Sequence, residues 1–114
     1  MGIKNTIIEE SSMKELRKKP TYVIQKEIVE LQRSSQVSIL EIGKRLVILK
    51  ETKIPVKQFR KFIEEDTRLG YDIANKYMKI VKRYGIDTEH EENSKIVIAL
   101  GVKKADKLLR IVDL

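Results

Sequence analysis

Apolar residues recur along this chain at helical spacing, and hardly anywhere do they alternate as in a half-buried strand. Ile24, Ile28 and Leu31 mark one stripe, and Ile39, Ile42, Leu46 and Leu49 mark a second that steps by threes and fours. The stripes differ in phase across Ser34-Ser35-Gln36, and Ser38 with Glu41 has capping-box spacing. Residues 20–51 therefore admit two helices or one long helix with a shifted face. The long helix, with or without a kink, is the preferred expectation. Pro20-Thr21 would start it, and Thr52, Lys53 and the Ile54-Pro55 pair would end it near Glu51.

Downstream, Pro55 suits the first turn of a short helix whose Val56, Phe59, Phe62 and Ile63 share one face. Asp66, Thr67 and Gly70 interrupt it. A further helix over 71–84 carries Ile73, Ala74, Tyr77, Met78, Val81 and Tyr84 as a wide apolar stripe, with Gly85 placed for a left-handed cap. Another starts at Ser94 and runs through Leu100, Gly101 breaks it, and the last helix is expected to bury Ala105, Leu108, Leu109 and Val112. Ahead of all these, residues 1–19 form a weakly amphipathic segment in which Ile7, Ile8, Met13 and Leu16 give a short helix at most. The expectation is an all-α small helical bundle: an N-terminal segment over 1–19 and one helical domain over 20–114.

Composition narrows the function. At 114 residues with 41% hydrophobic content, the chain supports one modest core. It has no cysteine, which removes disulfides, thiolate nucleophiles and thiolate metal sites together. The single histidine, His90, sits in the acidic run 87–92, whose bland reading as a solvated loop outweighs metal binding, so neither a metal nor another cofactor is expected. Charges interrupt the apolar N-terminal stretch before it reaches the length of a signal or membrane segment, and a cytoplasmic protein with no membrane partner is expected. Gly2 with Thr6 only loosely matches a myristoylation pattern. An enzyme is not expected either: Glu64, Glu65 and Asp66 are consecutive and cannot face one another on a helix, and no activated nucleophile has a base beside it.

Charge is where the chain departs from neutrality. Between residues 44 and 83 stand twelve basic residues (Lys44, Arg45, Lys50, Lys53, Lys57, Arg60, Lys61, Arg68, Lys76, Lys79, Lys82, Arg83) against five acids, Glu51, Glu64, Glu65, Asp66 and Asp72. That stretch holds the entire net charge of +7. It also contains, over 55–84, a short helix, a turn ending in Gly70 and a second helix with a basic outer side, the pattern of a helix-turn-helix. On a helical wheel Asp72, Asn75, Lys76, Lys79, Lys82 and Arg83 lie opposite or beside the apolar stripe. Asn75 has the donor and acceptor needed for an adenine edge; Lys76, Lys79 and Arg83 suit phosphates or guanine. An antiparallel helix pair with lysines for solubility would read the same way. The aromatics Phe59, Phe62, Tyr77 and Tyr84 fall on apolar stripes and are assigned to the core.

The run Ile42-Gly43-Lys44-Arg45-Leu46, then Leu49-Lys50-Glu51, Phe59 through Glu65, Ala74-Asn75-Lys76-Tyr77-Met78 and an apolar helix after Ser94 resembles small helical proteins of phages and plasmids catalogued as a domain of unknown function. The resemblance spans about residues 37–109, and its most specific piece is Ala-Asn-Lys-Tyr-Met. It implies a helix-turn-helix-like fold and a mobile-element origin, and transfers no catalytic residue. The chain departs from that pattern at Gly70, where a capping Ser is common, and at Tyr71 and Ile73, where polar residues are expected. These departures weigh against base readout by the start of the second helix.

Two functions compete. The first is a nucleic-acid-binding regulator or accessory protein of a phage or plasmid, double-stranded DNA being favoured. The 71–84 helix would meet the duplex, Lys57, Arg60, Lys61 and Arg68 would grip flanking phosphates, and a homodimer through the long helix would address a two-part site. The second is a phage-borne inhibitor that binds a host defence or replication complex, a protein or ribonucleoprotein, through the same basic face.

Overall fold

Seven α-helices make up the described part of the chain: α1 (Met13–Arg17), α2 (Thr21–Leu31), α3 (Gln36–Ile48), α4 (Val56–Phe62), α5 (Tyr71–Arg83), α6 (Ser94–Leu100) and α7 (Val102–Val112). The computed structural model describes residues 12–32, 36–88 and 91–112, apart from the side chains of 36, 91 and 109–112. Ile7, Ile8, Ser34, Ser35, His90 and the side chains of Leu109 and Val112, on which sequence expectations were placed, lie outside that description. Among the described residues there is no strand, and no helix is long and apolar enough to cross a membrane.

The expected long helix over 20–51 is two helices. Arg45 Nε donates to Glu27 Oε1 at 2.8 Å, whereas eighteen residues of one straight helix would hold them about 27 Å apart. Folding back sends both stripes into one core, where Ile24, Ile28, Leu31, Ile42, Leu46 and Leu49 are all buried. A dimer through one face of a long helix loses its basis, since the described residues of this stretch form two separate helices.

α3 is the central element, with α1, α2, α5 and α6 packed on it. Being enclosed on every side, it buries Leu40, Ile42, Leu46, Val47 and Ile48 and also charged groups. Glu41, Lys44 and Arg45 are 2% exposed or less. Buried charges persist only when paired, and these are: Lys44 Nζ donates to Glu41 Oε2 at 3.0 Å and Arg45 Nη1 to Glu41 Oε1 at 2.8 Å. Glu27 extends the network to Lys19, whose Nζ lies 2.6 Å from it. Burial alone would raise the Glu27 carboxyl, but the hydrogen bonds and charges of Lys19 and Arg45 hold it below the ordinary value.

Midway along α3, Gly43 lets α5 come close. A Cβ there would stand 2.6 Å from Val81 Cγ2 and 2.8 Å from the Tyr77 carbonyl oxygen. This contact sets where α5 lies, and so which of its side chains face out.

The C-terminal signals work as expected. Gly85 (φ 70°) and Gly101 (φ 90°) take left-hand backbone angles, and the latter separates α6 from α7. Met13 and Leu16 of α1 join the core, with Ser12 capping that helix by accepting from the Glu15 amide at 3.1 Å. Three expected core residues are exposed. Val56 is 79% exposed because the first turn of α4 lies wholly at the surface. Ile73 is 46% exposed, turned to the rim of a groove beside Leu31, Ile39 and Tyr77. Leu108 falls outside the inward face of α7, which Val102, Ala105 and Asp106 define.

Candidate nucleic-acid interface

The short helix α4 rides on the surface: Phe59 is its buried residue, Phe62 is half-buried, and Lys57, Gln58, Arg60 and Lys61 are exposed. Pro55 caps its start with extended backbone, and the Gln58 amide donates back to the Pro55 carbonyl at 2.9 Å. Where a turn ending in Gly70 was expected, the helix first widens into a π-helical stretch over Ile63–Thr67 and then turns sharply at Arg68. Arg68 is the non-glycine residue with positive φ among the described residues, at 60°. Gln25 of α2 and Gln32, just past its end, hold this turn: Gln25 Nε2 donates to the Asp66 carbonyl at 2.6 Å and Gln32 Nε2 to the Thr67 carbonyl at 2.7 Å. Arg68 itself stays exposed.

α4 meets α5 at the latter's first residue. Phe59 and Tyr71 pack edge to face with centroids 6.4 Å apart. The Arg60 guanidinium lies 4.9 Å above the Tyr71 ring, and Lys50 Nζ 5.9 Å above Phe59. Arg60 also lies 3.6 Å from Glu64, one turn on. Beyond this junction, the lengthwise partner of α5 is α3. Gly70 stands at the N-cap of α5 and offers no side-chain cap.

The outer arc of α5 is the one the helical wheel gives. Asp72, Asn75, Lys82 and Arg83 are exposed, and Lys76 and Lys79 half-exposed; Ala74, Met78 and Val81 face inward. The nine cationic or amide residues expected to meet nucleic acid are thus all at the surface, but they are not equivalent. Lys82 Nζ donates to Glu51 Oε2 at 2.6 Å and lies 3.5 Å from Asp87. The hydrogen bond to Glu51, together with both carboxylates' charges, holds its ammonium above the ordinary lysine value despite some burial. Lys79 lies 3.9 Å from the buried Asp106. Lys57, Lys61, Arg68 and Lys76 make no ion pair among the described residues.

The charge count of residues 44–83 is therefore corrected in two ways. Lys44 and Arg45 are interior, neutralised by Glu41 and Glu27 from outside that stretch. Lys79 and Lys82 meet the molecule's own carboxylates. The cations left without an ion pair among the described residues are instead Lys57 and Lys61 of α4, Arg68 of the turn and Lys76 of α5, on elements that also expose Glu65, Asp66 and Asp72. Sequence reasoning counted Lys50 and Glu51 only as charges and gave Asp87 and Asp106 no place at the site; the fold brings Lys50 toward α4 and the three carboxylates to the lysines of α5. Tyr77 and Tyr84 are half-buried, and burial raises both phenols, Asp106 adding to the effect at Tyr84. The Tyr84 hydroxyl donates to the Ala105 carbonyl at 3.0 Å, a structural use that keeps the ring from stacking on a base. Among the described residues no group of side chains is arranged to hold a metal ion.

A family model described as "Protein of unknown function (DUF3102)" matches residues 19–113. No curated protein and no solved structure matches the chain.

Proposed function

The chain belongs to the DUF3102 family, a family of unknown function, and we propose that it binds nucleic acid, double-stranded DNA in the first place, through the surface around the α4–α5 junction. One observation carries this reading: Lys57 and Lys61 of α4, Arg68 of the turn and Lys76 of α5 reach the surface without an ion pair among the described residues, and Arg60 lies above the Tyr71 ring where α4 meets α5. Unmatched cations at a surface attract polyanions because each neutralised phosphate releases condensed counterions.

Contacts of this kind position a protein on the backbone of a duplex and carry little sequence information. Asn75, exposed one turn into α5, is the side chain suited to an adenine edge. Ile73 at the start of α5 supplies no such group, and the Tyr71 ring is taken up by Phe59 and Arg60. We therefore assign the protein to the accessory class, binding by shape and charge, within the phage or plasmid setting that its resemblance to mobile-element proteins implies.

The test is a fluorescence-anisotropy titration of a labelled duplex across a salt series. With four or five phosphates engaged, the logarithm of affinity should fall with the logarithm of salt at a slope of about −4. K57E/K61E should weaken binding by roughly tenfold or more at low salt, and K79E/K82E by much less. No binding at low salt, or equal losses in the two double variants, would sink the proposal. Recovery of a stoichiometric protein partner without duplex affinity would point to the inhibitor class instead.

A further inference from the structure

Lys79 and Lys82 bring two positive charges to the outer arc of α5 and meet three carboxylates there. Asp87 and Asp106 are buried and cannot leave. Glu51 is different: its side chain is 48% exposed, and it reaches Lys82 from the turn after α3, across a groove floored by Val47 and Met78. Lys82 is held by Asp87 as well, so Glu51 is not needed to place it. Glu51 thus makes three carboxylates against the two lysines of this groove.

We infer that Glu51 is an anionic stop at one edge of the nucleic-acid interface, which repels phosphate from the Lys79–Lys82 groove and confines the bound strand to the α4–α5 junction. The inference rests on the nucleic-acid reading above. With Glu51 present, a phosphate approaching Lys82 meets a carboxylate that already occupies the ammonium's exposed side at 2.6 Å. With a neutral side chain there, Lys82 keeps its position through Asp87 and turns a donor toward the groove. Lys50, the other cation at this groove, points its ammonium at the Phe59 ring. The stop therefore sets both how tightly and how far along its surface the protein holds a polyanion.

The full chain, its E51Q and E51A variants, and E30Q as a control of equal net charge altered on exposed α2, are titrated with a labelled random-sequence duplex of about 20 base pairs over a salt series. Both Glu51 variants should bind about three- to tenfold more tightly at low salt, with a salt slope steeper by about one phosphate. The gain should fade as salt shortens the screening length. E30Q should change affinity by less than about twofold. Equal gains in E30Q would overturn the inference by assigning the effect to net charge, and so would unchanged or weaker binding in both Glu51 variants. If the wild type binds no duplex at low salt, the nucleic-acid reading falls and this inference with it; if it binds and the Glu51 variants match it, only the stop is lost.

Discussion

Gly43 of α3 faces the Tyr77 carbonyl of α5 so closely that a single added carbon would stand 2.8 Å from that oxygen and 2.6 Å from the Val81 methyl. A glycine in a helix interior is ordinarily a weakness, worth about 1 kcal/mol relative to alanine. Here the clash reverses the balance, because one of the two neighbours is backbone and cannot swing aside. Gly43→Ala should destabilise the fold by about 2 kcal/mol, seen as a melting temperature lower by about 10 °C in circular dichroism. A variant as stable as the wild type would mean that α3 and α5 are farther apart than described.

Glu41 is the shared anion of Lys44 and Arg45, and all three are buried. Removing it takes away the carboxylate that links Lys44 to Arg45 and leaves Arg45 its ion pair with Glu27. Glu41→Gln preserves shape and one hydrogen-bond acceptor but not the charge, so about 3–5 kcal/mol should be lost, the range for breaking a buried pair by deleting one partner. Urea denaturation with an unchanged m-value checks it; a loss below about 1 kcal/mol would show that the cations find water instead.

The same network predicts an acid limb of stability. The Glu27 carboxyl is held below its ordinary value by Lys19 and Arg45, so its contribution is complete above the unfolded-state pKa and is lost as pH falls through the folded one. The stability difference between wild type and Glu27→Gln should therefore hold steady at neutral pH and shrink as the pH falls below about 5, in paired thermal melts. A difference that stays constant or widens toward acid would contradict the pairing.

Helical periodicity made most of this fold readable before any coordinates: the stripes of α2, α3 and α5, the glycine stops at Gly85 and Gly101, and the outer arc of α5 follow from spacing alone. What spacing does not contain is which elements meet across the chain. Lys44 and Arg45 look like surface cations in a count, and only the fold-back of α2 onto α3 brings Glu27 to Arg45. Likewise Glu51, Asp87 and Asp106 lie 31, 5 and 27 positions from the lysines they meet, distances set by tertiary packing and not by a helix face. Val56 followed the apolar pattern yet lies exposed, since a stripe says which face turns inward and not where the core ends.

Arg68 separates stability from binding. Its backbone sits at φ 60°, ψ 18°, a left-handed conformation that costs a non-glycine residue about 1–2 kcal/mol, while its side chain is exposed and makes no ion pair among the described residues. Glycine adopts that conformation without the penalty, so on folding alone Arg68→Gly should be neutral or stabilising by up to about 1 kcal/mol. Loss of the guanidinium should nevertheless lower duplex affinity by roughly threefold to tenfold and flatten the salt slope by about one unit. Arg68→Lys, which retains charge and strain, should keep most of the affinity and none of the stability gain. If Arg68→Gly binds as tightly as the wild type while melting higher, the strained arginine has no part in holding a polyanion, and the interface ends at α4 and Lys76.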